Sequence, residues 1–197
     1  EFDLLDVLRL PGIHNQSNVA GAVCCAAALG ADAVSIRQAV SSFRTLPHRL
    51  ELIAEIDGRR FYDDSIATTP ESTLAALDSL SGPIWLIAGG YDKGMDLTSV
   101  ARKTAVRVKG VALLGQTAQT LRQLIGSQAY PNPQVEIQEC PTMEQAVTWC
   151  FSRSRGGDII LLSPACASFG MFHNFVERAE VFRNCVLELK PPLRIAG

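Results

Sequence analysis

The sequence of 197 residues lacks the marks of several protein classes. Its formal net charge is only −2, so it offers no basic field for a nucleic-acid backbone and no charged tail. The longest apolar-rich segment, residues 19–29, is too short and too rich in alanine to span a bilayer, and no signal peptide is recognisable. We therefore expect a cytoplasmic protein with neither a nucleic acid nor a membrane as partner.

Metal-binding and redox motifs are also missing. The six cysteines include no Cys-x-x-Cys pair and have no histidine at the spacing of a zinc site, so no metal site is predicted. Most are expected to be small buried residues. Cys166 lies in a loop with the character of a ligand site, but no motif supplies it with a base. A packing role is therefore favoured over nucleophilic catalysis.

Two nucleotide-binding motifs are absent as well. The phosphate-cradling Gly-x-x-x-x-Gly-Lys-Ser/Thr does not occur, and neither does Gly-x-Gly-x-x-Gly at a strand-to-helix turn. The second absence disfavours a dinucleotide-dependent oxidoreductase.

What is present is an alternation of short apolar strands with helical segments. Residues 50–56 and 59–62 flank Asp57-Gly58 and predict a β-hairpin. Further strands are predicted at residues 84–88, 111–114, 135–138 and 159–162, with helices from Pro70 and near 97–108, 118–125, 143–151 and 175–187. Thr69 and Thr142 are suited to cap two of these helices. The order predicts an α/β fold with a Rossmann-like, mainly parallel sheet and an N-terminal hairpin.

The first 45 residues have a different character. They predict a short strand at residues 7–10, a helix that extends to about Leu29 and a second one to about Phe43; residues 14–18 are suited to cap the first. Two helices and a strand have no hydrophobic core of their own. We therefore expect the chain to begin inside a larger unit.

Polar groups follow three of the predicted strands, where ligands bind in open α/β sheets. They lie in residues 63–68, 89–93 and 163–168. Gly89 and Gly90 are expected to let backbone approach a ligand closely, and Lys93 supplies a cation for a phosphate or a carboxylate. The three loops predict one cleft at the carboxyl edge of the sheet.

Five blocks of sequence occur in an order that identifies a known family. They are His14-Asn15-x-x-Asn18, Leu46 to Glu51, Tyr62 to Thr73, Gly89 to Lys93, and Leu162-Ser163-Pro164-Ala165-Cys166-Ala167-Ser168 with the Met-Phe and Asn-Phe pairs that follow. Together they resemble the D-glutamate-adding members of the Mur ligase family. The resemblance covers nearly all of this chain, but only the latter part of the family's three-domain enzyme. It assigns residues 1–45 to the tail of the central ATP-binding domain and residues 46–197 to the C-terminal amino-acid-binding domain.

The resemblance implies an ATP-driven peptide ligation in peptidoglycan synthesis. ATP, with Mg²⁺, phosphorylates the carboxylate of UDP-N-acetylmuramoyl-L-alanine, and the amine of D-glutamate attacks the acyl phosphate. Asn15 and Asn18 match positions that hold adenine, while Arg49 and Asp64 match catalytic groups that close over ATP. The positions around D-glutamate are matched by Thr68, Lys93, Ser168 and Phe175. This chain alone is expected to be inactive and to bind neither cofactor tightly, because the P-loop belongs to the preceding part.

Other roles are open for some of these residues. Asn15 and Thr68 are also suited to cap helices, and Phe175 to form an apolar wall. His14 and His48 are more typical of turn or linker structure than of proton transfer. Ile66 and Gly170 stand where relatives carry lysine and aspartate, which weakens the assignment of D-glutamate.

Two alternative functions follow from the same sequence. One is another Mur or folylpolyglutamate-type ligase, although the Asn-Pro-Arg signature of the diaminopimelate- or lysine-adding relative is absent. The other is a stand-alone, non-catalytic binding module. A P-loop in the upstream coding sequence would exclude the module.

Overall fold

A computed structural model describes residues 13–43, 46–127 and 135–189. These residues form seven helices and six strands. In chain order they are α1 (Ile13–Ala28), α2 (Ala33–Ser42), β1 (Glu51–Ile56), β2 (Arg59–Asp63), α3 (Pro70–Ser79), β3 (Ile84–Gly89), α4 (Thr98–Arg107), β4 (Val108–Leu114), α5 (Ala118–Gly126), β5 (Glu136–Glu139), α6 (Met143–Arg153), β6 (Ile159–Leu162) and α7 (Phe175–Glu188). The strand predicted at residues 7–10 lies outside the described part. Among the described residues, no helix has the length and apolar character needed to cross a membrane.

The six strands form one sheet in the order β1-β2-β6-β3-β4-β5. Only the β1–β2 pair is antiparallel, and it turns at Asp57 and Gly58, which both have positive φ as a tight hairpin turn requires. The last strand, β6, lies between β2 and β3 and runs parallel to both. The predicted hairpin and mainly parallel sheet are confirmed. The carboxyl ends of β2, β6 and β3 are therefore neighbours at one edge.

Helices cover both faces of the sheet. On one face, Leu86, Val111 and Leu161 pack against α3, α4 and α5. On the other, Ile87 and Ile160 pack against α6 and α7. Every residue of β3 and β6 is buried, which explains their unbroken apolar sequences. Full burial of one such side chain contributes roughly 1.5 to 3 kcal/mol.

The helix caps agree with the sequence in part. Thr142 Oγ1 accepts from the Gln145 amide at 3.2 Å, which confirms the cap of α6. Thr69 precedes Pro70 at the start of α3 as predicted, but its side chain makes no capping bond, and its hydroxyl lies 3.2 Å from Ser72 Oγ instead. Asn174, not singled out as a cap, accepts from two amides in the first turn of α7.

Helices α1 and α2 lie outside the sheet and contact each other. Asp32 Oδ1 caps α2 by accepting from the amides of Val34 and Ser35. Most side chains of α1 are exposed, whereas Ile36 and Val40 of α2 are buried. The prediction that residues 14–18 cap α1 is wrong, because all five lie inside that helix.

Candidate active site

The three predicted loops meet where β2, β6 and β3 end, and backbone hydrogen bonds join them. Asp64 N–H donates to Leu162 O at 2.9 Å, and Gly89 N–H donates to Pro164 O at 2.8 Å. Tyr91 N–H donates to Ala167 O at 2.9 Å. The predicted gathering of these loops at the carboxyl edge is thus present in the structure.

Gly89 and Gly90 are required by the packing of these loops. A Cβ atom at Gly89 would lie 2.3 Å from Leu114 O, and one at Gly90 would lie 2.2 Å from Ala167 O. No side chain tolerates such distances to backbone. The close neighbour of both glycines is therefore the protein's own backbone and not the ligand expected from the sequence.

Asp64 is a buried carboxyl group that connects two of the loops. It is only 1% exposed. Its Oδ2 lies 2.8 Å from Ser163 Oγ, and its Oδ1 accepts from Leu50 N–H at 3.2 Å. Burial raises the pKa of Asp64 to about 7, although the bonds from Ser163 and Leu50 and the charge of Arg49 act in the opposite direction. This carboxyl group can therefore hold or release a proton near neutral pH.

Arg49 lies between two cavities. One, of about 360 Å³, is lined by Asn15, Asn18 and Arg49 together with apolar side chains of α1, α2 and the following segment. The other, of about 190 Å³, is lined by Arg49 and Asp64 with residues of α3. All four residues predicted to meet ATP thus lie around two cavities that share Arg49.

The position of Asn15 and Asn18 decides one open alternative. Both lie inside α1, three residues apart, so their side chains share one face of the helix. Because neither is at the N-cap, the capping role considered for Asn15 is wrong. His14 likewise lies inside the helix and not in a turn.

The four residues predicted to surround D-glutamate follow three strands that end at this edge: Thr68 follows β2, Lys93 follows β3, and Ser168 and Phe175 follow β6. Lys93 is exposed, and its Nζ lies 5.5 Å from the centroid of the ring of Phe169, which follows the buried Ser168 in sequence.

Thr68 follows the turn at residues 64–67, and Phe175 is connected to that turn because Ser65 Oγ donates to Phe175 O at 2.7 Å. Thr68 precedes the N-cap of α3 by one residue, so the capping role considered for it is wrong. The side chain of Phe175 is half-buried and its ring lies 6.2 Å from that of His48, edge to face.

Cys166 has the surroundings of a packing residue. It is 1% exposed, and its Sγ lies 3.4 Å from Thr117 Oγ1. Burial raises the pKa of the Cys166 thiol, which lowers its nucleophilic character. These surroundings support the packing role expected from the sequence.

One cluster has the donor set of a metal site but holds a guanidinium. Ligand atoms of His48, Glu51 and Asp63 lie within 4.8 Å of one another. Arg183 Nη2 is 2.6 Å from Glu51 Oε2, and its Nε is 3.4 Å from Asp63 Oδ2. Because the guanidinium of Arg183 already pairs with both carboxylates, the cluster does not fit a divalent cation.

The chain also resembles a known protein family in sequence. The profile described as "Mur ligase, glutamate ligase domain" matches residues 48–166, which is more than half of the chain. The chain belongs to the Mur ligase family. Two relatives bear the name UDP-N-acetylmuramoylalanine–D-glutamate ligase. The one from Symbiobacterium thermophilum is 41% identical over 92% of this chain, and the one from Caldicellulosiruptor bescii is 40% identical over 93% of this chain. The chain spans 39% of the length of each.

Solved structures of the Mur ligase family and of folate ligases share the fold. UDP-N-acetylmuramate-alanine ligase from Thermotoga maritima superimposes with a TM-score of 0.70 at 15% identity, over 93% of this chain and 40% of that one. Folylpolyglutamate synthase from Mycobacterium tuberculosis, complexed with ADP and AMPPCP, gives 0.66 at 15% identity, over 94% and 42%. At these identities the likeness establishes the fold alone.

Arg178 is a buried residue of this Mur ligase chain that was not among the predicted site residues. This arginine of α7 is 1% exposed and donates to Ser65 Oγ at 3.0 Å, to Ser65 O at 2.7 Å and to Cys166 O at 3.0 Å. Burial lowers its pKa to about 10. Through its three hydrogen bonds, Arg178 connects the loop after β2 to the loop after β6. The available signal was an arginine on the apolar face of α7, one turn before the buried Phe182.

Proposed function

We propose that this chain is the C-terminal part of an ATP-dependent ligase that adds D-glutamate to UDP-N-acetylmuramoyl-L-alanine in peptidoglycan synthesis. The carrying observation is identity of about 40% over more than nine-tenths of the chain to relatives that bear this one name. Solved ligases with other names are 15 to 21% identical. The cytoplasmic location and the division at residues 45 and 46 remain parts of this proposal. The division is supported by the family profile, which begins at residue 48.

The cavity at Asn15, Asn18 and Arg49 suits the nucleotide. Its apolar lining can cover the faces of adenine, and two amide side chains on one helical face can donate to and accept from the edge of the base. Arg49 also lines the second cavity, together with Asp64. A guanidinium in this position can neutralise charge on a transferring phosphoryl group.

The loop ends around Lys93 and Ser168 suit the amino acid. A dicarboxylate requires a cation and several hydrogen-bond donors, which Lys93 and the hydroxyl groups of Ser168 and Thr68 supply. Phe175 limits the space near the turn at residues 64–67, to which its carbonyl is bonded. When bound, ATP supplies the phosphoryl group that activates the acceptor carboxylate.

We assign Mg²⁺ to the preceding part of the enzyme and to ATP itself. The cluster of His48, Glu51 and Asp63 is the only group of three or more clustered potential metal ligands within residues 13–43, 46–127 and 135–189. The guanidinium of Arg183 already pairs with both of its carboxylates. A cleft lined by amides and a guanidinium fits ATP better than it fits a bare cation.

The test compares this chain with the longer protein that contains it. Phosphate release should require ATP, UDP-N-acetylmuramoyl-L-alanine and D-glutamate together in the longer protein, and should be absent in this chain alone. Assays with L-alanine or diaminopimelate in place of D-glutamate, and an assay with a folate and glutamate as substrates, distinguish this activity from those of the other ligases. Robust turnover by this chain alone, or a preference for another amino acid, would overturn the proposal.

A further inference from the structure

The backbone around Arg49 has an unusual conformation. His48 and Leu50, the residues on either side, have φ values of +63° and +45°. Residues with a Cβ atom rarely adopt this left-handed region, and a bulky residue such as leucine is an outlier there. The segment therefore needs external contacts that hold it in place.

Two adjacent carboxyl groups provide these contacts. Asp63 Oδ2 lies 2.9 Å from His48 Nδ1, and Asp64 Oδ1 accepts from Leu50 N–H at 3.2 Å. Asp63 is fully buried. The two aspartates at the end of β2 thus bind the residue before Arg49, His48, and the residue after it, Leu50.

Further contacts fix the same segment. His48 N–H donates to Glu51 Oε2 at 3.0 Å, and His48 O accepts from Ile66 N–H at 3.2 Å. Arg183 binds both Glu51 and Asp63, so the carboxylates that hold His48 are themselves held by α7. The His48 ring, 15% exposed, is enclosed by Asp63 and the edge-to-face Phe175 ring.

We propose that His48 is a positioning residue that acts through Arg49. Its ring, anchored to Asp63, holds His48 and Leu50 in the left-handed conformation that places Arg49 at the two cavities. The inference rests on the proposed function for its substrate, ATP, but not for the identity of the amino acid. It also explains why Asp63 precedes Asp64: one carboxyl group is needed on each side of Arg49.

Two substitutions separate the side chain of His48 from its backbone conformation. Glycine and asparagine both tolerate positive φ. In His48→Asn, Nδ2 occupies the place of the histidine Nδ1 and can donate to Asp63, whereas His48→Gly leaves no donor. Loss of a hydrogen bond to a charged group predicts roughly tenfold or more lower affinity for a non-hydrolysable ATP analogue in His48→Gly of the longer protein, and a similar loss in kcat/KM for ATP. His48→Asn should remain within about threefold of wild type, and the KM for D-glutamate should change little in both.

A double-mutant cycle shows whether His48 acts through Arg49. In an Arg49→Ala background, His48→Gly should cause no further loss of analogue affinity, because the group it positions is gone. Full additivity, equal losses in His48→Gly and His48→Asn, or wild-type affinity in His48→Gly would each refute the inference. If the analogue affinities of wild type and the variants follow this pattern but the wild-type protein does not ligate D-glutamate, the proposed function is refuted and the role of His48 remains.

Discussion

As the pH rises from about 4 to 7, the wild-type protein should lose stability because of Asp64, and the variant Asp64→Asn should not show this loss. Burial raises the pKa of this carboxyl group from the ordinary value of 3.8 to about 7. The folded protein therefore binds the proton more tightly than the unfolded chain does. The contribution of Asp64 to the free energy of unfolding is fully present below about pH 4 and is lost as the pH rises through 7.

The size of this loss follows from the two pKa values. A difference between 3.8 and about 7 corresponds to about 4 kcal/mol between the acid and the neutral limit. Asparagine has nearly the same shape, and its carbonyl oxygen can still accept from Leu50 N–H. The free energy of unfolding of wild type minus that of Asp64→Asn should thus fall by about 4 kcal/mol from pH 4 to pH 8.

Urea unfolding of the chain at several pH values measures this difference. Trp85 is 3% exposed, so its fluorescence reports on the sheet. Asp96→Asn is the control with the opposite sign, because bonds from Thr98 lower the pKa of the exposed Asp96. The contribution of Asp96 is lost as the pH falls, not as it rises. A difference for Asp64 that is flat, or that grows with pH, would refute the reasoning.

Three further predictions concern the loops. Arg178→Met should lower the free energy of unfolding by roughly 2 to 6 kcal/mol in urea titrations, since three bonds from a buried cation are lost while its desolvation cost is relieved; a loss below about 1 kcal/mol would contradict this. In the longer protein, Lys93→Ala and Ser168→Ala should each raise the KM for D-glutamate roughly tenfold to hundredfold and leave that for ATP nearly unchanged, with Lys93 the more sensitive; equal shifts in both constants would indicate damage to folding or domain closure. Gly90→Ala should lower the melting temperature by several degrees because its Cβ meets Ala167 O, whereas Gly126→Ala, which meets nothing within 4 Å, should not; equal melting temperatures would show that the loop yields.

The sheet was predictable because its signals are local. Asp57-Gly58 between two strand-like segments predicted the hairpin, and the apolar run at residues 159–162 predicted β6 with its observed bounds. Parallel strands place their carboxyl ends together, so the meeting of the three loops followed as well. The insertion of β6 between β2 and β3 was not predicted, because strand order depends on contacts distant in the sequence.

The missed features of the site depend on the three-dimensional surroundings of each residue. Polar asparagines near the start of a helix resemble caps, and only the position of the helix start shows that Asn15 and Asn18 lie inside α1. Arg178 resembles a surface residue until the loops it bonds are placed around it. The left-handed conformation of His48 and Leu50 was not predictable from the sequence, because neither residue is a glycine. For Arg178, and for His48 with Leu50, the determining partners lie far away along the chain or in another element.

The identity of the amino acid that the longer protein ligates tests the proposed function most directly. Incubation with ATP, UDP-N-acetylmuramoyl-L-alanine and an equimolar mixture of D-glutamate, L-glutamate, L-alanine and diaminopimelate, followed by mass spectrometry, identifies the product. A single new species carrying D-glutamate, distinguished from its L-isomer by chiral analysis after hydrolysis, is the predicted result. Incorporation of any of the other amino acids, or ATP hydrolysis without a ligated product, would contradict the account.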